Sequence, residues 1–131
     1  MSPASKRKQV IGGANIEGLP ISLAVKFGDL VFVSGTVAFD DEDRIVTGGI
    51  GAETLQTFRN IEKVLASAGC SLADVLKVNV VLSDSGDFDQ FNAVYKTLFP
   101  KNPPARVTMA ARLTIDARIE VDVVAGIGAG G

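Results

Sequence analysis

Histidine and tryptophan are absent from this chain of 131 residues, and cysteine and tyrosine each occur once. Without histidine, acid–base chemistry near neutral pH falls to carboxylates, Tyr95, lysines or water. The lone Cys70 excludes an internal disulfide, and no Cys/His cluster is available for a metal. These absences point to a reducing, cytoplasmic setting with neither metal nor cofactor. Cys70 follows Ala68-Gly69 with no base nearby in sequence, so it reads as a packing residue rather than a reactive thiol. No apolar run approaches the roughly 18 residues of a membrane span, and the start lacks the apolar core of a signal peptide. Charge is also sparse: 13 basic and 15 acidic side chains leave a net −2, which provides no basic field for nucleic acid. The one basic run, Lys6-Arg7-Lys8, reads as a solvated tail.

A chain of this length is expected to form one domain, 1–131, with flexible ends at about 1–7 and 126–131. Gln9-Val10-Ile11 suits a short edge strand, and Gly28-Asp29 is a hairpin turn between Leu23–Phe27 and Leu30–Val33. The acidic cluster at residues 40–43 lacks the spacing of a calcium loop and reads as a solvated turn. Leu55, Phe58, Ile61 and Leu65 recur at helical spacing from about Ala52 to Ala68, and Gly69 suits the C-cap. Ser71 and Asp74 resemble a capping box before a strand at Leu76–Leu82. Asp87 is the expected cap of a second helix with an apolar stripe of Phe88, Phe91, Val94, Tyr95 and Leu98, ended by Pro100. The glycines of the last six residues match a dinucleotide-binding fingerprint only formally, since no helix follows them.

The stretch from Pro104 to Val124 carries most of the functional information. Ile119, Val121 and Val123 alternate with Arg118, Glu120 and Asp122, as do Val107 and Met109 with Arg106 and Thr108. If the two strands pair, Arg106 and Glu120 converge on the polar face of one sheet. A half-buried sheet with a wet face accounts for the same alternation. Strands and two helices in this order imply helices on one face, leaving a second face suited to a subunit interface.

Pro104-Ala105-Arg106, the apolar run, Ala111-Arg112-Leu113 and Ile119-Glu120-Val121 resemble the C-terminal signature of the RidA/YjgF family, formerly called L-PSP endoribonucleases. Leu30–Gly35, Gln56–Gly69 and Asp87–Tyr95 are similar to its other landmarks, so the resemblance runs from about Pro20 to Val124. It implies an α+β, chorismate-mutase-like fold: a mixed, mostly antiparallel sheet with two helices on one face, assembled as a homotrimer with sites between subunits. The implied activity is hydrolytic deamination of small reactive 2-enamino or 2-imino acids, with no cofactor. By position, Arg106 binds the substrate carboxylate and Glu120 positions the attacking water. Gly35 and Thr108 line the site, and Asn92 is a further substrate-binding candidate. Ile21 occupies the site position where well-studied members carry a tyrosine, and the segment from Arg106 to Arg112 is one residue shorter than theirs.

Two other readings stay open. Loss of the tyrosine favours a non-catalytic module that binds small carboxylates, and a structural salt bridge from Arg106 to Glu120 or Asp122 is the plain alternative to a site. The endoribonuclease label is disfavoured by the missing histidine and basic groove.

Overall fold

The computed structural model of the chain describes residues 7–13 and 18–131, so the expected flexible N-terminus lies, apart from Arg7, outside the described residues. Six strands form one sheet. β1 (Gln9–Gly13), β2 (Ser22–Phe27) and β3 (Leu30–Thr36) run as an antiparallel meander, followed by α1 (Gly49–Ser67), β4 (Val75–Leu82), α2 (Phe88–Leu98), β5 (Ala105–Ala110) and β6 (Ile119–Gly126). The strand order is β1-β2-β3-β6-β4-β5.

The last strand therefore enters the middle of the sheet. β6 pairs antiparallel with both β3 and β4, and β4 pairs parallel with β5 across the α2 crossover. This is a split β-α-β arrangement, ferredoxin-like, with β3 and β4 parallel on either side of β6. The mixed, mostly antiparallel sheet with two helices is as expected, but the chorismate-mutase-like assignment is corrected by this insertion.

Local chemistry explains the elements. Gly28 takes the positive φ of 59° that its hairpin turn requires. In α1 the residues Ile50, Thr54, Phe58, Ile61 and Leu65 recur every three or four positions and are buried against Val31, Val33, Val121 and Val123 of the sheet. Gly69, at φ 82°, lets the chain leave the helix. Asp74 accepts a hydrogen bond from the Ser71 N–H (2.9 Å) as the capping box requires, and its other oxygen accepts from Gly130 N–H (2.8 Å), tying down the C-terminal segment. Asp87, the expected cap of α2, makes no capping bond; its carboxylate faces Arg118 (3.4 Å) instead. Arg118 in turn donates its backbone N–H to the buried Glu53 (2.9 Å), which anchors the start of β6 to α1.

One core fills the space between helices and sheet, with Phe58, Tyr95 and Phe99 stacked edge-on or tilted at centroid distances of 4.8–5.8 Å. The opposite face of the sheet is uncovered and apolar: Val10, Phe27, Leu30, Phe32, Val107 and Met109 are 39–59% exposed there. Among the described residues, no helix is long and apolar enough to cross a membrane.

Candidate active site

Arg106 and Glu120 do not converge within one chain. Their strands are not neighbours, because β4 lies between β5 and β6. The parallel register sets Arg106 opposite Val78 and Thr108 opposite Val80, and both valines face the helices. Arg106 and Thr108 therefore point to the helix side, while Val107 and Met109 occupy the uncovered face. Glu120, opposite Val81, lies on that uncovered face with Asp122 and Asn79. The expectation that one polar face carries both groups is thus corrected: residues of like face are set by register, and register is not visible in alternation alone.

On the helix side, the half-buried guanidinium of Arg106 sits over three rings of α2: Tyr95 at 4.6 Å, Phe91 at 5.2 Å and Phe88 at 5.9 Å from Cζ to centroid. Among the described residues it has no carboxylate within salt-bridge distance, so the plain alternative of a salt bridge to Glu120 or Asp122 is not formed. It lines an open cleft of about 710 Å³ between α2 and the chain entering β5. Phe99, Pro103 and Pro104 make an apolar wall, and Asn92, Lys96 and Asp89 supply polar groups. Asn92 thereby lines the same cleft as Arg106.

Tyr95 belongs to both core and cleft. The residue is 6% exposed, and its hydroxyl is buried without a hydrogen-bond partner among the described residues. Burial pushes the phenol above the ordinary tyrosine pKa, an effect opposed by the nearby Arg106 charge. The Arg106 charge lies over the ring face, and no bond to the hydroxyl meets hydrogen-bond geometry. Thr108 also has a buried hydroxyl without a hydrogen-bond partner among the described residues.

The second group of residues surrounds Glu120. The β3–β6 pairing shifts register between Val33 and Thr36, which leaves Ser34 and Gly35 in an irregular stretch at the sheet surface. Ser34 Oγ donates to Ser22 O (2.6 Å) and Thr36 Oγ1 to Ser34 O (2.8 Å), fixing that stretch. The Glu120 side chain lies directly over Gly35: a methyl group added there would overlap its Oε2 and stand 3.1 Å from its Cδ. Asn79 Nδ2 donates to Asp122 Oδ1 at 2.9 Å one row away. Ile21, 45% exposed, immediately precedes β2 and offers no hydroxyl.

Sequence reasoning placed Tyr95 in the core and did not single out Phe88, Phe91 or Lys96 for the site. Their helical spacing is the ordinary mark of a core stripe, and only the inward turn of Arg106 gives that stripe a second role.

A family model described as Endoribonuclease L-PSP matches residues 19–127. A RutC family protein of Pyrococcus abyssi is 42% identical over 108 residues, covering 81% of this chain and 85% of that protein. A human protein named 2-iminobutanoate/2-iminopropanoate deaminase is 35% identical over 122 residues, covering 90% and 89%. Among solved structures, yeast Mmf1 superimposes with a TM-score of 0.85 at 30% identity, over 92% of this chain and 98% of that one. The YjgF gene product of Escherichia coli gives 0.82 at 26% identity, over 90% and 98%. The chain belongs to the RidA/YjgF family, the group that also carries the L-PSP name. Its ferredoxin-like α+β fold is that family's, which is the further ground for withdrawing the chorismate-mutase-like assignment.

Proposed function

We propose that this protein hydrolyses small reactive 2-enamino and 2-imino acids to 2-oxo acids and ammonia, at a cleft completed between subunits of a homotrimer. The observation that carries this reading is the state of Arg106: a half-buried cation held by aromatic rings, lining a cleft, with no acidic partner among the described residues. A structural arginine would be neutralised by a carboxylate; this one keeps its fork of donors for a ligand carboxylate. The human relative's name supplies the reaction class.

In the proposed mechanism Arg106 holds the substrate carboxylate and so orients the adjacent imine carbon. Glu120 accepts a proton from water as the water oxygen adds to the carbon of the protonated imine, forming a neutral carbinolamine. Glu120 then returns that proton to nitrogen while the carbinolamine hydroxyl gives up its own proton to solvent, so that the C=O bond forms as the C–N bond breaks, ammonia leaves and the 2-oxo acid remains. An enamine substrate first takes a proton at C3 to become the imine. Gly35, Thr108 and Asn92 remain proposed lining groups, and Ile21 borders the site without a hydroxyl.

Because Arg106 and Glu120 occupy opposite faces, one substrate meets both only if two chains contribute. The uncovered apolar face, with Phe32, Val107 and Met109 exposed beside Glu120 and Asp122, suits burial against further copies of the chain. Three-fold closure would bring one copy's Glu120 face against another's β5 edge. Mixing inactive Arg106→Ala and Glu120→Gln subunits, then refolding them together, tests this: shared sites regain ammonia release in the mixture. A mixture as inactive as its parents contradicts the shared site.

A second reading, a non-catalytic carboxylate-binding module, is favoured by Ile21, whose exposed apolar side chain cannot orient water. It predicts Arg106-dependent binding of 2-oxo acids without turnover of the imines.

A further inference from the structure

We propose that Tyr95 is a positioning residue for the carboxylate site: its hydroxyl accepts one N–H of the Arg106 guanidinium and so fixes the angle at which the fork meets a ligand. The inference rests on the proposed role of Arg106 and adds the group that aims it. Of the three rings that face the guanidinium, Tyr95 is the nearest, at 4.6 Å, and the one that carries a hydroxyl. Attraction to ring faces holds a cation at a given height but leaves it free to turn in its own plane. A bidentate grip on a carboxylate needs that angle fixed, and an oxygen at the rim of the platform supplies the restraint.

The hydroxyl has no structural use. It is covered within the single chain and has no hydrogen-bond partner among the described residues, so a second copy closing the cleft does not reach it directly. A phenylalanine would fill the same core position without a buried unpaired oxygen, as Phe58, Phe91 and Phe99 do around it. Arg106 is the charge that bears on the phenol, both through its field and as a neighbouring donor, although the two are not aligned in hydrogen-bond geometry. A turn of the guanidinium aligns them. Burial keeps the phenol neutral, so it offers a lone pair without cancelling the positive charge that a carboxylate needs.

The test compares wild type, Tyr95→Phe and Arg106→Ala in calorimetric titration with pyruvate and in thermal melting. Tyr95→Phe keeps the ring and deletes the hydroxyl. It is expected to weaken pyruvate binding about tenfold, and kcat/KM for ammonia release by a similar factor. Its melting temperature should equal or exceed that of wild type, because an unpaired buried hydroxyl leaves the core. Tyr95 is the only tyrosine and tryptophan is absent, so tyrosine fluorescence reads this ring alone and should change as pyruvate saturates the site. Wild-type affinity in Tyr95→Phe, with Arg106→Ala still deficient, overturns this inference and spares the proposed function. A depressed melting temperature in Tyr95→Phe marks the hydroxyl as structural and overturns the inference too, as does fluorescence indifferent to bound pyruvate. Equal binding by wild type and Arg106→Ala, or binding by neither, overturns the proposed function and this inference with it.

Discussion

Gly35→Ala isolates the position of the Glu120 carboxylate from the stability of the fold. Gly35 does not adopt the positive φ that disfavours side chains, so alanine fits its backbone and should reduce the entropy of the unfolded chain by about 0.4–1 kcal/mol. Against that gain, the new methyl group occupies the space of Glu120 Oε2 and lies 3.1 Å from its Cδ. The obstructing atoms are the far end of a flexible, half-buried side chain, which can swing aside, so the two effects nearly cancel in stability. The carboxylate nonetheless has to move by about an ångström, and a misplacement of that size costs on the order of 100-fold in a positioned reaction. The expected result is a melting temperature within a few degrees of wild type, intact binding of 2-oxo acids, and a kcat for ammonia release reduced by roughly 10- to 100-fold. Wild-type turnover in a well-folded Gly35→Ala protein would refute the argument that Glu120 acts from its place over Gly35.

Arg106→Ala is expected to weaken 2-oxo acid binding by at least about tenfold, since a charge-assisted hydrogen bond contributes roughly 1.5–3 kcal/mol. Among the described residues it strands no carboxylate, so stability should fall only by the lost ring contacts, about 0.5–2 kcal/mol; unchanged binding with a large melting loss contradicts the site. Tyr95 is the only tyrosine, so phenolate absorbance reads it alone, and its titration should lie above the usual tyrosine range of about pH 10. Its raised folded pKa gives stability that is full below the unfolded value and lost as pH rises toward the folded one. The Cys70 thiol, raised by burial and by Asp74, adds to this alkaline loss from about pH 8.5, and a flat stability profile above that pH contradicts both shifts. Met109→Glu on the uncovered face should lower the sedimentation mass from three protomers toward one, and an unchanged mass places the interface elsewhere.

Much of the architecture is legible residue by residue. The spacing of Phe58, Ile61 and Leu65 marks the buried face of α1, the alternation from Ile119 to Val123 marks β6, and Gly28 marks the hairpin. Alternation shows that a strand has two faces without showing which face meets the helices. In β5 the more apolar set, Val107 and Met109, turns outward and Arg106 turns in, an inversion decided by the parallel register with Val78 and Val80. Adjacency was equally hidden, because Pro104–Leu113 and Arg118–Val124 follow one another in the chain while β4 separates their strands. The ring platform under Arg106 needed the tertiary structure as well, since Phe88, Phe91 and Tyr95 carry the same spacing whether or not a cation lies over them.

The most direct measurement of the central claim is ammonia release from freshly generated 2-aminoacrylate and 2-iminobutanoate, with wild type, Arg106→Ala and Glu120→Gln compared in one assay. The account predicts that wild type accelerates release well above the spontaneous rate. It predicts that Glu120→Gln still binds 2-oxo acids but loses most of that acceleration, because its amide can hydrogen-bond water without taking its proton. Arg106→Ala should lose both binding and acceleration. Wild-type protein that leaves the spontaneous rate unchanged, or a Glu120→Gln variant as active as wild type, would contradict it.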